Sequence, residues 1–265
     1  PDDLDAIELR HVQWFFQRFY TPDNAVLVVA GDFDPLAARR DIVRYFGSIR
    51  AHRFVRPSRD LQPVTLDGEY VLAMDAPVSQ RIVEIYWPTP AYLEPGDAAL
   101  DIVADVLNER FRERLIRAGL VLNAGARQSS LELTSEFAIR VILHPDNDEN
   151  QILGIIDEEL RRLQRTVLPE GDLASRRRSW RRELVRRSVS PLGDACDSQY
   201  SMTSDAARRG VGVDRYDRLT GEQVRDAALR YLPVNRRLVL LVNRNGRAEL
   251  GGELQGTYLR RGAAR

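Results

Sequence analysis

The fold is decided by a helix-then-strand unit that occurs twice in the chain. The complete copy reads LTGEQVRDAALRYLPVNRRLVLL (residues 219–241), and an earlier copy reads LDAIELRHVQWFFQRFYTPDNAVLVV (residues 4–29). Each predicted helix ends at a Tyr-x-Pro-x-Asn motif, because proline has no amide proton to donate and disfavours helix in the residue before it. An apolar stretch follows both motifs, which predicts a strand after each helix.

Both copies begin with a pattern typical of a helix N-terminus. Asp5 is followed three residues later by Glu8, and Thr220 is followed three residues later by Gln223. Such a pair predicts a capping box, in which the two side chains satisfy each other's free backbone amides. The first copy has four more residues between its start and its tyrosine, which predicts a helix about one turn longer.

The spacing of the two copies predicts the domain organisation. Their tyrosines, Tyr20 and Tyr231, are 211 residues apart, so each unit is expected to close a domain of about that size. Residues 1–62 are then the C-terminal remnant of a first domain with a linker, and residues 63–250 are a second domain. The glycine-rich residues 251–265 are expected to form a flexible tail.

Composition excludes several classes of protein. The 265 residues include 39 Lys+Arg and 39 Asp+Glu, so the net charge is zero, and 43% of the residues are hydrophobic. This balance argues against a dedicated nucleic-acid-binding protein and favours a folded core. No apolar run reaches the roughly 18 residues of a membrane helix. The single cysteine, Cys196, excludes an internal disulfide.

Hydrophobic periodicity indicates an α+β domain. The clearest strand is predicted at residues 131–143, where apolar and polar residues alternate so that one face is apolar and the other polar. Further strands are predicted at residues 70–74 and 81–87, and amphipathic helices at 98–119, at 152–163 and from Pro169 onward. The pattern predicts a two-layer sandwich, with a mainly antiparallel sheet and the helices on one face.

The residues that could bind a metal do not form a recognisable motif. The three histidines stand at positions 11, 52 and 144, too far apart in sequence for a zinc motif. Asp146 and Asp148 are spaced as in a calcium loop, but the turn glycine is absent, so we expect one of them to cap the following helix. We therefore predict neither a metal ligand nor a catalytic residue.

Two arginine features have both a structural and a functional interpretation. Residues 176–187 contain seven arginines; a charged helix exterior is the ordinary interpretation, and nucleic-acid binding is the alternative. Arg140 lies on the polar face of the strand at 131–143, between Ala138 and the side chains of Glu136 and His144. It either pairs with a neighbouring carboxylate or contacts a substrate.

Three segments resemble a known family of enzymes. FYTPDNAVLVVAGDFD (residues 19–34) resembles the segment that closes the first domain of zinc metallopeptidases of the pitrilysin, insulinase and mitochondrial processing peptidase family. The segment DAALDIVADVLNERFRERLIRAGLVLNAGA (residues 97–126) resembles the second domain of that family. So do SPLGDACDSQYSMT and the segment from residue 213 to 242.

The resemblance implies two similar α+β halves that enclose a chamber for zinc and substrate. The family's zinc motif, His-x-x-Glu-His, lies upstream of the segment that begins this chain, so zinc is expected in that upstream part and this chain alone is expected to be inactive. Its implied function is the non-catalytic, chamber-forming portion of a zinc metalloendopeptidase. The alternative is a metal-free structural or partner-binding subunit of the same fold.

The resemblance also implies a few site residues and partners. Arg140 resembles a substrate-contacting arginine of the family, although no tyrosine follows it between residues 141 and 173. Ala124 and Gly125 fall where relatives offer a strand edge to a substrate terminus. The expected partners are a peptide substrate and a zinc-bearing domain or chain, in a homo- or heterodimer, with nucleic acid unlikely and no membrane span. A bacterial cytoplasmic and a periplasmic location both remain open.

Overall fold

The chain separates into two compact units. Unit 1 comprises residues 1–60 with 182–210, and unit 2 comprises residues 61–181 with 211–265. The computed structural model describes these parts of the chain: residues 2–25, 27–29, 31–50, 64–131, 134–189, 211–244 and 257–260. In this part of the chain, no helix is both long enough and apolar enough to cross a bilayer.

The first copy of the repeat lies in unit 1 and differs from its prediction. A short helix α1 (Asp2–Asp5) is followed by helix α2 (Leu9–Phe19). The N-cap of α2 is Glu8, whose amide donates a hydrogen bond to Nδ1 of His11 at 3.1 Å. The prediction of Asp5 as the cap of one longer helix was therefore wrong, because the chain begins a new helix at the next residue that can form reciprocal capping contacts.

The strand expected after α2 is not formed in the described part of unit 1, where residues 27–29 belong to no strand. A strand exists only when its backbone pairs with another. Helix α3 (Pro35–Phe46), which the sequence analysis missed, follows instead. Its signal is present in the sequence, since Asp34 accepts a hydrogen bond from the amide of Leu36 at 2.8 Å and Pro35 occupies the first helical position.

Unit 2 contains one sheet with the strand order β3-β4-β2-β5-β1-β6. Only β1 and β5 are parallel, and the four other pairings are antiparallel. The mainly antiparallel sheet confirms the predicted fold class. The strands are β1 (Tyr70–Ala76), β2 (Ile82–Thr89), β3 (Val121–Ser129), β4 (Ser135–Leu143), β5 (Leu238–Arg244) and β6 (Thr257–Arg260).

Strand β6 falls within the stretch that was expected to be a flexible tail. It pairs in antiparallel fashion with β1, which satisfies backbone groups on the outer edge of that strand. Residues 251–256 and 261–265 of the expected tail lie outside the described residues.

Five further helices follow in the described residues. They are α4 (Asp97–Phe111), α5 (Glu149–Arg165), α6 (Glu170–Val189), α7 (Val211–Asp217) and α8 (Gly221–Tyr231). Of the two candidate caps, Asp146 and Asp148, it is Asp148 that caps α5. Thr220 and Gln223 form the predicted capping box of α8. A single turn of π-helix (Arg112–Ile116) extends α4.

The alternation predicted for β4 is confirmed and distinguishes the two faces of the sheet. The side chains at the odd-numbered positions 137, 139, 141 and 143 are buried beneath the helices. Arg140, on the opposite face, is exposed. The face away from the helices, here called the open face, is where polar side chains of neighbouring strands meet.

A buried polar network joins α4 to α6 and α7. Asp101 of α4 accepts a hydrogen bond from the hydroxyl of Tyr216 at 2.6 Å. The Tyr216 ring stacks on Trp180, with centroids 5.1 Å apart, and the Trp180 indole donates to Asp105 at 2.7 Å. Arg215 pairs with Asp97 and lies 4.0 Å from Asp101. Burial raises the pKa of Asp101 to about 7, although the Tyr216 hydrogen bond opposes the shift.

We expect the network to make stability depend on pH. The pKa of Asp101 in the folded chain lies above its ordinary value of 3.8, so folding favours the protonated carboxyl. The contribution of Asp101 to the free energy of unfolding therefore falls as the pH rises from about 4 to about 7. Asp101→Asn keeps an acceptor for Tyr216 and removes this loss. Urea unfolding should therefore show a stabilisation of the variant relative to the wild type that grows from pH 5 to pH 7, by roughly 1.4 kcal/mol for each pH unit. A difference that stays constant over this range, or that the exposed variant Asp172→Asn reproduces, would contradict the prediction.

Candidate functional site

Helix α4 fastens the edge strand β3. The Asn108 side chain donates to the carbonyl of Ala126 at 2.9 Å and accepts from the amide of Ala126 at 2.7 Å. At the far end of the strand, buried Asp97 accepts hydrogen bonds from Gln128 at 3.4 Å and from the Ser130 hydroxyl. Asn108 thus occupies the position that a neighbouring strand would take, which protects the sheet edge.

This attachment changes the interpretation of Ala124 and Gly125. The backbone amide and carbonyl of Ala126 both bond to Asn108, so they point away from β4. Neighbouring residues of an antiparallel strand alternate in direction, so the amide and carbonyl of Gly125 point toward β4. Ala124 is only 8% exposed. A peptide strand could be added at this point of the edge only if Asn108 were displaced.

Gly125 and Arg140 are nevertheless brought together on the open face. They are direct register partners on β3 and β4, so they share a face of the sheet. Gly125 presents no side chain there, and the Arg140 side chain is 59% exposed. A Cβ atom at Gly125 would lie 3.6 Å from Oδ1 of Asn108. Of the three residues that the resemblance indicates, two therefore face solvent together, and Ala124 lies beneath the sheet on the helix side.

Two residues that the sequence analysis missed lie next to Arg140. Glu84 of β2 is its register partner, and the Arg140 Nε atom lies 3.4 Å from a Glu84 carboxylate oxygen. The other Glu84 oxygen accepts a hydrogen bond from the Tyr86 hydroxyl at 2.7 Å. Glu136, the expected same-strand neighbour of Arg140, pairs instead with Arg127 of β3 at 3.3 Å.

The signal for this cluster lies in the alternation of β2. In the segment IVEIYWPT, buried Val83, Ile85 and Trp87 alternate with Glu84 and Tyr86. The pattern places the two polar side chains on the face opposite the core, but the sequence does not show that β2 lies beside β4. Tyr86 lies upstream of Arg140 on a different strand and contacts Glu84, so it is not the downstream tyrosine that the resemblance implies.

Burial and a neighbouring carboxylate set the protonation of this cluster. Burial is the main cause that raises the pKa of Tyr86 to about 12, and the hydrogen bond to Glu84 and its charge act in the same direction. Tyr86 is therefore a neutral hydrogen-bond donor at physiological pH. The cluster presents a cation next to a carboxylate and a phenol, an arrangement whose N–H and O–H donors can bind peptide carbonyl or carboxylate groups.

The other candidates from the sequence have structural roles. In the arginine-rich helix, Arg176 pairs with Glu109, Arg177 with Glu170 at 2.7 Å, and Arg181 with Asp217 at 3.0 Å. These contacts agree with the ordinary interpretation of a charged helix that is packed and paired. Among the described residues, no group of three or more His, Cys, Asp or Glu side chains could hold a metal ion. Cys196 lies outside the described residues.

A family model agrees with this fold. The model described as the peptidase M16 inactive domain matches residues 6–179, which is most of the chain. The chain belongs to the peptidase M16 family. The resemblance to pitrilysin-type metallopeptidases is thereby confirmed, and this M16 chain contains a non-catalytic peptidase-like domain.

Curated relatives of the M16 chain are much longer than the chain itself. It is 26% identical over 177 residues to Protein YhjJ of Salmonella typhimurium and 28% identical over 172 residues to Protein YhjJ of Escherichia coli K12. The matched segments cover 64% and 62% of this chain, but only 35% and 34% of those proteins. The chain therefore spans about a third of the length of these relatives.

Solved structures share the fold of the M16 chain at low sequence identity. A protease from Helicobacter pylori superposes with a TM-score of 0.81 at 17% identity, over 91% of this chain and 60% of that one. The M16 inactive domain from Pseudomonas fluorescens gives 0.74 at 14% identity, over 91% and 58%. The periplasmic protease PqqL from Escherichia coli gives 0.68 at 15% identity, over 92% and 29%.

The contact between Glu84 and Tyr86 leads to a measurable prediction. Glu84→Gln removes the negative charge that opposes ionisation of the Tyr86 hydroxyl, so the Tyr86 pKa should fall from about 12 toward 10. It should stop short of 10, because burial remains. Carbon-13 NMR of labelled tyrosine, assigned with Tyr86→Phe, would follow the titration. Glu136→Gln is the matched control and should shift the pKa less, and an equal shift in both variants would rule out the specific role of Glu84.

Proposed function

We propose that this chain is the non-catalytic, substrate-facing portion of a zinc metalloendopeptidase of the M16 family. In this proposal, unit 2 forms one wall of the substrate chamber, and the open face of its sheet is the surface that meets the peptide. Residues 1–62 belong with the zinc-bearing domain, and residues 63–250 form the second domain. The wall needs no metal of its own, since its role is to hold an extended peptide.

The observation that carries the proposal is the environment of Arg140. The Arg140 side chain is 59% exposed, and its 3.4 Å ion pair with Glu84 is of the exposed kind that contributes little to stability. Gly125, its register partner on β3, has no side chain that would stand beside it. Arg140 can therefore lean across β3 toward a peptide and donate hydrogen bonds to its carbonyl or carboxylate oxygens.

The zinc of such an enzyme does not fit the described residues of this chain. They contain no cluster of three potential ligands, and a catalytic zinc site needs three protein ligands and an open position. In the proposed enzyme, the metal ligands and the glutamate that activates water therefore belong to the upstream part that the family resemblance implies. The residues of this chain bind and orient the peptide.

The alternative, a metal-free subunit that binds partners, shares the same fold and the same lack of catalytic groups. Unit 1 favours it in one respect, since α2 and α3 expose large apolar side chains such as Trp14 and Phe46. Both hypotheses agree on a non-catalytic chain. They differ in whether Arg140 contacts a peptide, and a binding measurement separates them.

Peptide binding tests the role of Arg140. Fluorescence anisotropy with labelled, unstructured peptides of about twelve residues should show that Arg140→Ala weakens binding about tenfold, the effect of losing a charge-assisted hydrogen bond. Arg117→Ala, which removes an exposed arginine beyond the end of α4, should leave the affinity unchanged. Gly125→Val should also weaken binding, because its side chain would stand between Arg140 and the sheet edge. Equal affinities for the Arg140 and Arg117 variants would refute the proposed contact.

Asn108→Ala distinguishes the open face from the strand edge. If the peptide lies over the open face, removal of the Asn108 side chain should not raise the affinity. If the peptide instead pairs with β3, the variant exposes the backbone groups of Ala126 and binding should become tighter. A tighter complex would therefore move the site to the edge.

The absence of catalytic groups is tested directly by incubation. The purified chain, mixed with the same peptides and an equimolar amount of zinc, should leave them intact by mass spectrometry over a day. The described residues contain no group of three or more His, Cys, Asp or Glu that could hold a zinc ion, and zinc-assisted hydrolysis needs such a site. Cleavage that persists after chromatography and disappears with a chelator would contradict the non-catalytic assignment.

A further inference from the structure

A second arginine lies beside Arg140 on the open face. Arg127 of β3 is the register partner of Ala138, and Gly125 is the register partner of Arg140. Arg127 and Arg140 are therefore diagonal neighbours on one face of the sheet, roughly 7–8 Å apart at their bases. Gly125 and Ala138 complete this patch of four residues, and neither has a side chain longer than a methyl group. Both guanidinium groups can therefore reach a ligand group placed between them.

A carboxylate holds each of the two arginines at one side. The ion pair of Arg140 with Glu84 is made by Nε at 3.4 Å. Arg127 donates a hydrogen bond from one terminal nitrogen to Glu136 at 3.3 Å. Within the described ranges, Nη1 and Nη2 of Arg140 donate no hydrogen bond. These two nitrogens form the flat end of the guanidinium group, which matches the two oxygens of a carboxylate.

Differences in exposure give the patch a positive outer surface. The Arg140 side chain is 59% exposed and its partner Glu84 is 18% exposed. The Arg127 side chain is 67% exposed and its partner Glu136 is 43% exposed. In both pairs the arginine is thus the more exposed partner. A ligand that approaches from solvent meets the guanidinium groups first, so the patch favours a negatively charged group although the four charges sum to zero.

The proposed function specifies which negative group of a peptide reaches the patch. An endopeptidase cleaves within a chain, so the segment of peptide that crosses unit 2 continues beyond the patch on both sides. In an extended peptide, every second side chain points toward the surface on which the peptide lies. An internal Asp or Glu can therefore present its carboxylate to the arginines while the backbone passes over them, whereas a C-terminal carboxylate arrives only where the peptide ends.

We propose that the open face of unit 2 binds an internal acidic side chain of an extended peptide. The carboxylate lies end-on against Nη1 and Nη2 of Arg140, and Arg127 contacts it from the neighbouring strand. Glu84 stays in place, because its second oxygen accepts a hydrogen bond from Tyr86. This inference rests on the proposed function and deepens it, since it names the substrate class as peptides with an internal Asp or Glu.

Fluorescence anisotropy of the full chain with three labelled peptides tests this subsite. The first peptide has one internal Glu and an amidated C-terminus, the second has Gln in that place, and the third has the same Gln with a free C-terminus. The peptides carry no other acidic residue. The wild type should bind the Glu peptide about tenfold more tightly than either Gln peptide, the effect of a charge-assisted hydrogen bond.

Variants of the two arginines separate their contributions. Arg140→Ala should abolish the preference for Glu, and Arg127→Ala should reduce it by about a factor of three, as for an exposed ion pair. Arg140→Lys keeps a positive charge beside Glu84 but loses the flat end, so the preference should fall to about threefold or less. Arg117→Ala, the matched control, should keep the full preference. All four variants should melt within about 2 °C of the wild type, because the replaced side chains are exposed.

Several results would overturn the subsite. These are equal affinities of the wild type for the Glu and Gln peptides, a Glu preference that Arg140→Ala retains, or tighter binding of the peptide with the free C-terminus. If Arg140→Ala weakens all three peptides equally, the peptide contact of Arg140 stands and the acidic subsite is wrong. If no peptide binds, or none responds to Arg140→Ala, the proposed contact itself is wrong.

Discussion

Unit 2 depends on the burial of α4 between the sheet and the other helices. Its apolar residues fill the core, and its polar residues reach the structures on either side. Asn108 satisfies the backbone of Ala126 on the outer edge of β3, and Asp97 binds the end of that strand together with Arg215 of α7. Because a buried carboxylate needs such partners, the position of α4 also fixes the position of the edge strand.

The candidate site follows from this arrangement. Helix α4 covers one face of β3 and β4, and its Asn108 side chain closes part of the outer edge of β3. The open face is the opposite face of the same two strands, and it is accessible to solvent at Arg140. There Arg140, Glu84 and Tyr86 come from two strands, and Gly125 from a third. The contact of this cluster with a peptide is our proposal, and the family model that matches the chain describes the peptidase M16 inactive domain.

Unit 1 shows that the strand of a helix-then-strand repeat depends on the structure around it. Its helix has the same length as α8 and carries apolar residues on the same face, yet it buries none of them. Its following segment forms no strand in the described residues, although the apolar run predicts one. The helix forms because its hydrogen bonds are local, whereas the strand requires a partner.

The sequence by itself determined the local elements and the family. The alternation of β4, the capping box of α8 and a cap of α5 at Asp146 or Asp148 were predicted correctly, because each depends on residues close together in the chain. The mainly antiparallel sheet was inferred from the succession of strands and helices and from the family resemblance. Only the tertiary structure decided which residues meet: Glu84 rather than Glu136 pairs with Arg140, Ala124 is buried, and Asn108 closes the edge of β3. These contacts depend on the order of strands in the sheet and on the helix laid across it. Residues far apart in sequence determine the strand order and the position of the helix, so local sequence patterns do not predict these contacts.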